Sequence, residues 1–217
     1  MRNNGERHYI RRRLSTTVAY PDAVATRIGV YCGSNLGSDD AYSNHAKWLG
    51  SAIAARGFGL VYGGANVGLM GLLADAALQG GADVIGVIPS SLVRVEIAHQ
   101  GLTTLDVVET MHERKARMVE LADGFIALPG GFGTLDEVFE ILTWDQLGLI
   151  AKPVVFLDID GFYTDLFAFL DKAVDAGFLR GSHRLLAQRA LTVDEAIALA
   201  TSPTPDVEHK WIDRERA

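Results

Sequence analysis

The chain has 217 residues, 48% hydrophobic and 22% charged, with a formal net charge of −7, a composition that fits one soluble α/β domain with a full core. The acidic balance, with a pI of about 5.3, argues against a general nucleic-acid binder, and no run of 18 or more apolar residues is present to span a membrane. A single cysteine, Cys32, excludes an internal disulfide and suits a reducing cytoplasm. Charge is uneven: residues 1–26 carry Arg2, Arg7, Arg11, Arg12 and Arg13 against Glu6 and Asp22, a balance of +3 that leaves −10 for the remainder. That start lacks the apolar middle of a secretory signal and reads as a flexible basic extension, with an organelle transit peptide as the other reading.

From Arg27 onward short apolar strands alternate with helical stretches. Arg27 to Cys32 predicts the first strand, and Asp39 or Asp40 caps a helix running to about Arg56. Gly59 to Tyr62 is a second strand, closed by Gly63-Gly64, with a helix from about Gly68 to Gln79. Asp83 to Ile88 is a third strand, stopped by Pro89, and residues 90–103 read as an irregular loop. Thr104 to Glu109 is a fourth strand and Met111 to Leu121 a helix. Gly124 to Leu128 is a buried strand that stops at Pro129, passes through glycines and enters a helix at about Thr134. Pro153 to Ile159 is a sixth strand, followed by a helix from about Tyr163 to Ala176. Leu191 to Val193 is a short last strand, and Asp194 opens a closing helix to about Ala200. Pro203 and Pro205 begin a polar tail to residue 217. No internal repeat stands out.

Near-continuous apolar strands separated by helices mean a parallel sheet covered on both faces. The right-handed crossover rule makes it a doubly wound, Rossmann-like sandwich of about six or seven strands, one catalytic or nucleotide-binding domain over 27–202. Ligands in such sheets sit outside the carboxyl ends of the strands. Three glycine-rich strand ends fall on that edge: Cys32-Gly33-Ser34, Tyr62-Gly63-Gly64 and Pro129-Gly130-Gly131.

The third of these is the most informative. A glycine turn into a helix brings backbone N–H groups to an anion, and the helix dipole adds roughly half a positive charge there. Thr134 and Glu137 also have the spacing of a capping box, which needs no ligand. A capping box does not require Gly130, Gly131 and Gly133 in front of it, so a phosphate site at Gly131 to Thr134 is the better reading. Glu137 then sits a single turn into the helix.

In Met111-His112-Glu113-Arg114-Lys115-Ala116-Arg117, three cations lie near a helix start, where the dipole disfavours them. Arg117 has helical partners in Glu113 and Glu120. Arg114 has none, its neighbours three and four away being Thr110, Met111, Arg117 and Met118, and Lys115 has none either. Unpaired cations on the ligand edge imply an anionic partner across space, with Arg114 the stronger candidate because its planar fork can clamp an anion in two places. The His residues show no metal-ligand spacing, so no metal is expected. Cys32 reads as a small buried residue more than a nucleophile.

Pro129-Gly130-Gly131-Phe132-Gly133-Thr134-Leu135-Asp136-Glu137 resembles the P-G-G-x-G-T-x-x-E signature of the LOG (Lonely Guy) family, the cytokinin riboside 5′-monophosphate phosphoribohydrolases. Met111-His112-Glu113-Arg114-Lys115 resembles that family's M-x-x-R-K element. Val30-Tyr31-Cys32-Gly33-Ser34, Tyr62 through Gly71 and Thr143 through Gly148 extend the similarity over about residues 27 to 200, leaving out the first 26 residues and the tail. Asn66, where relatives often carry serine or glycine, is a small departure.

The resemblance implies hydrolysis of a purine nucleoside 5′-monophosphate, AMP or its isopentenyl analogue, to free base and ribose 5-phosphate, with no cofactor and in a homodimer. It implies Glu137 and Arg114 as catalytic residues. Substrate contacts would come from Cys32, Gly33, Ser34, Gly63, Gly64, Met111, Lys115, Gly130, Gly131, Gly133 and Thr134. A non-catalytic nucleotide or molybdenum-cofactor carrier of similar fold is the alternative, as is a housekeeping role in purine salvage.

Overall fold

A computed structural model describes residues 26–93 and 98–208. The basic extension up to residue 25, the tail beyond Glu208 and residues 94–97 of the predicted loop lie outside the described residues. The elements run β1 Arg27–Tyr31, α1 Asp40–Ala55, β2 Gly59–Tyr62, α2 Gly68–Gln79, β3 Val84–Pro89, β4 Thr104–Val108, α3 Met111–Leu121, β5 Gly124–Ala127, α4 Phe132–Gln146, β6 Val154–Leu157, α5 Thr164–Asp175, α6 Gly181–Arg184, β7 Ala187–Ala190 and α7 Val193–Ala200. The seven strands form one parallel sheet in the order β4-β3-β2-β1-β5-β6-β7.

Alternation within the strands builds two cores. Ile28, Val30, Ile126 and Leu128 face one side, where Leu49 and Ile53 of α1, Leu69 and Leu73 of α2 and Ile197 of α7 cover them. Tyr31, Phe125 and Ala127 face the other, against Met118 of α3, Val138 and Ile141 of α4 and Phe167 of α5. The chain winds outward from β1 through β2 and β3 to β4, then crosses back under α3 to β5, on the other side of β1. The order therefore reverses between β1 and β5, and a crevice opens beyond their carboxyl ends.

Local chemistry sets the helix starts. Asp39 caps α1, its Oδ1 accepting from the Ala41 N–H at 2.8 Å. At α3 the Thr110 hydroxyl accepts from the Glu113 N–H, and the Glu113 carboxylate takes the Glu109 N–H at 2.9 Å. Glu113 is thus used at the cap, and Arg117 pairs with Asp106 at 2.8 Å and Glu120 at 3.0 Å in place of the predicted Glu113.

Three sequence expectations are corrected. Helix α4 begins at Phe132, not at about Thr134, with Gly131 as its N-cap and no side-chain cap bond; Thr134 is therefore inside the first turn and closes no capping box. The last strand is Ala187–Ala190, ahead of the predicted Leu191–Val193, and Leu191 is exposed. An edge strand reading A-Q-R-A carries too little apolar signal to announce itself. The short helix α6 was not anticipated. Residues before Glu208 still pack on the fold: Val207 is buried and the Glu208 carbonyl lies 2.6 Å from His183 Nε2.

Candidate active site

A cavity of about 400 Å³ occupies the crevice between the ends of β1 and β5. Its walls include Cys32, Gly33 and Ser34 from the end of β1, Gly63 from the end of β2, Arg114 from α3, and Pro129 to Thr134 with Glu137 from the turn into α4. Residues far apart in sequence converge here because each lies at a strand end or helix start on the same edge.

The turn after β5 is tightly drawn. The Gly33 N–H donates to the Pro129 carbonyl at 3.0 Å, binding the two central strand ends together. A Cβ on Gly130 would overlap the Thr134 hydroxyl, so the residue beneath the turn is glycine of necessity. At Gly131 and Gly133 an added Cβ meets nothing within 4 Å. No protein packing requires glycine there, and φ at Gly131 is −98°, open to any residue. The first helical bond is Leu135 N–H to the Gly131 carbonyl, 3.1 Å, which leaves the N–H groups of Phe132, Gly133 and Thr134 outside the helical ladder. With no side-chain cap, these are donors awaiting an acceptor beside open space. Gly131→Ala should keep wild-type thermal stability, within about 0.5 kcal/mol, yet weaken binding of a phosphorylated ligand about tenfold, since its methyl group faces only open space. Unchanged affinity for such a ligand by calorimetry would remove Gly131 from the site.

One turn further along α4, Glu137 is 8% exposed and Arg114 is 7% exposed. Arg114 Nη1 lies 3.0 Å from Glu137 Oε1. The rest of the guanidinium is committed to backbone: Nε donates to the Val87 carbonyl at 3.0 Å and Nη2 to the Gly63 carbonyl at 3.4 Å. A Cβ at Gly63 would occupy the space of Arg114 Nη2, so this glycine exists to admit the arginine. The anionic partner across space that the sequence demanded for Arg114 is Glu137.

Lys115 answers the same demand differently. Its ammonium lies 3.0 Å from both Asp136 and Glu140 on the flank of α4, and it is not among the cavity walls. Burial would lower its pKa, but the hydrogen bonds to Glu140 and Asp136 outweigh this and raise it. Met111 and Gly64 are likewise outside the walls. Met111 is 41% exposed, with Sδ 4.0 Å from Arg114 Nη1. Gly64 has φ 77° and its carbonyl accepts from the His99 N–H at 3.0 Å, a turn position holding the loop after β3. Cys32 lines the cavity with its thiol pushed far above the ordinary range by burial and then by Glu137, against a smaller lowering from Arg114; it stays a protonated thiol. Among the described residues, no three His, Cys, Asp or Glu side chains gather as a metal site.

The cavity rim was not read from the sequence. Leu36, Tyr42, Phe132 and Phe162 form an apolar mouth, with Phe132 94% exposed and Phe162 edge-on to Tyr42 at 5.8 Å. Phe162 follows β6 on the same edge, and its approach to Tyr42 depends on the folded sheet.

Fold and cavity together define a doubly wound α/β protein with a glycine-lined pocket at its switch point. Residues 70–200 match the family model described as "Possible lysine decarboxylase". The chain is 44% identical over 183 residues to the probable cytokinin riboside 5'-monophosphate phosphoribohydrolase LOGL1 of Oryza sativa subsp. japonica, covering 84% of this chain and 82% of that protein. It is 45% identical over 179 residues to the cytokinin riboside 5'-monophosphate phosphoribohydrolase LOG2 of Arabidopsis thaliana, covering 82% and 84%. The molybdenum cofactor binding protein from the phototrophic bacterium Rippkaea orientalis is similar in structure, with a TM-score of 0.62 at 27% identity over 81% of this chain and 94% of that one. The chain belongs to the LOG family.

Proposed function

We propose that this protein hydrolyses the N-glycosidic bond of purine nucleoside 5′-monophosphates, cytokinin ribotides among them, to free base and ribose 5-phosphate. One observation carries the reading. The buried Arg114–Glu137 pair, 3.0 Å apart, shares its cavity with the uncapped start of α4. Four residues of helix separate Gly133 from Glu137, about 6 Å of rise, comparable with the span from a 5′-phosphorus to the anomeric carbon. The phosphoryl group binds the N–H groups of Phe132, Gly133 and Thr134, with Ser34 and Gly33 on the opposite wall. Binding that remote group orients the reacting centre.

Glycosidic cleavage builds positive charge on the ribose ring. Glu137 stabilises that charge and orients or deprotonates the attacking water. Three of the five Arg114 N–H donors hold the Val87 and Gly63 carbonyls and Glu137, so the guanidinium aims the carboxylate while still forming part of the cavity wall. Lys115 is a clamp between α3 and α4 that keeps the two neighbouring positions in register, in place of the direct substrate contact that the resemblance implies.

The apolar mouth suits a purine and an apolar substituent on it. A homodimer in a reducing cytoplasm completes the reading, supported by exposed Met111 at the start of α3, exposed Leu149 in the turn after α4 and a lone buried thiol. No helix among the described residues is long and apolar enough to cross a membrane. The test is chromatographic detection of base release from a panel of nucleoside 5′-monophosphates, AMP and its N6-isopentenyl analogue included. AMP that binds and is recovered intact would favour the carrier reading.

A further inference from the structure

Behind the glycine turn stands a buried tyrosine that does not line the cavity. Tyr163 is 1% exposed, and its hydroxyl donates to the Leu128 carbonyl at 2.6 Å. That carbonyl lies at a break in the sheet. The Leu128 N–H still donates to the Tyr31 carbonyl of β1 at 2.9 Å, but the Gly33 N–H, next in that ladder, passes over Leu128 to the Pro129 carbonyl at 3.0 Å. Leu128 is wholly buried, so without Tyr163 its carbonyl would lose the partner the ladder no longer supplies. One residue on, the Pro129 carbonyl is held by Gly33. These two bonds fix the consecutive peptide planes from which Gly130 and the start of α4 depart.

Tyr163 is itself held from several sides. Its N–H donates to Asp158 Oδ1 at 2.7 Å. The Asp158 side chain is fully buried; its Oδ2 accepts from Arg189 Nε at 2.7 Å, and Arg189 Nη2 donates to the Thr164 hydroxyl at 3.0 Å. The ring sits edge-on to Phe156 at 5.0 Å and Phe162 at 4.9 Å. Burial, then the neighbouring Asp158, push the phenol above its ordinary range, so it is a donor at neutral pH.

We propose that Tyr163 is a positioning residue of the phosphate cradle: its hydroxyl pins the Leu128 carbonyl so that the first-turn N–H groups of α4 meet a phosphoryl group in register. Asp158 and Arg189 hold the pin. The inference rests on the cradle of the proposed function and adds a residue that touches neither substrate nor the reacting atoms.

The experiment is calorimetric titration with ribose 5-phosphate, AMP and adenosine of Glu137→Gln, which leaves AMP uncleaved, with and without Tyr163→Phe. Phenylalanine keeps the ring contacts and removes one hydrogen bond. The expected result is about three- to tenfold weaker binding of ribose 5-phosphate and AMP, the scale of one lost neutral hydrogen bond, with adenosine affinity unchanged. A merely structural loss would weaken adenosine as well, and that result overturns the proposal, as does unchanged affinity for ribose 5-phosphate. Should Tyr163→Phe fail to fold, Arg189→Met decides by the same ratio, with a smaller loss for the phosphorylated ligands expected and equal losses for all three overturning the pin. Because these are equilibrium affinities, they decide the pin even if wild-type protein releases no base from AMP, which is the failure that removes the hydrolase reading.

Discussion

Glu137→Gln is expected to bind AMP and release almost no adenine. The substitution is nearly isosteric, and the amide oxygen can still accept from Arg114 Nη1, now 3.0 Å from Oε1. On the proposed mechanism, what disappears is the negative charge facing the ribose and the capacity to take a proton from water. Groups in such roles contribute about 10²-fold or more in rate, so kcat should fall by at least that factor while the affinity for AMP stays within about threefold. Base release followed by chromatography, with AMP affinity by calorimetry, separates the two. A kcat within tenfold of wild type would remove Glu137 from the chemistry.

Arg114→Ala should be the more damaging change to the molecule as a whole. It strips the Val87 and Gly63 carbonyls of their side-chain donor and removes the guanidinium 3.0 Å from Glu137, which is 8% exposed. Breaking a buried pair from one side costs about 3–5 kcal/mol, so a fall in stability should accompany a rate loss of at least about 10²-fold. Arg114→Lys restores the charge but presents one ammonium to acceptors that a planar fork reached separately. Most of the stability and only part of the rate should return. The measurements are denaturant midpoints and kcat for both variants. If the lysine variant turned over at the wild-type rate, the fork geometry would be irrelevant and only the charge would matter.

The sequence carried the site wherever the local pattern and the three-dimensional demand coincide. The strand, glycine turn and helix at Gly124 to Glu137 are legible because one short segment supplies all the parts. Arg114 was legible by a different signal, a cation with nothing to pair with on its own helix. That signal could not tell Arg114 from Lys115, since both lack helical partners; only the packing of α3 on α4 sends one inward to Glu137 and the other outward to Asp136 and Glu140. The start of α4 was placed two residues late because a T-x-x-E spacing is the same whether the helix begins at Thr134 or at Phe132. The last strand, A-Q-R-A, failed for lack of apolar contrast, and the aromatic rim failed because Tyr42 and Phe162 meet only when α1 and the β6 end are folded together.

Gly63 and Arg114 compete for the same volume, the guanidinium lying where a methyl group on residue 63 would be. A side chain at position 63 therefore obliges the guanidinium to swing aside, and with it the nitrogen that meets Glu137 Oε1, so the aim of a carboxylate on α4 is set from the end of a different strand.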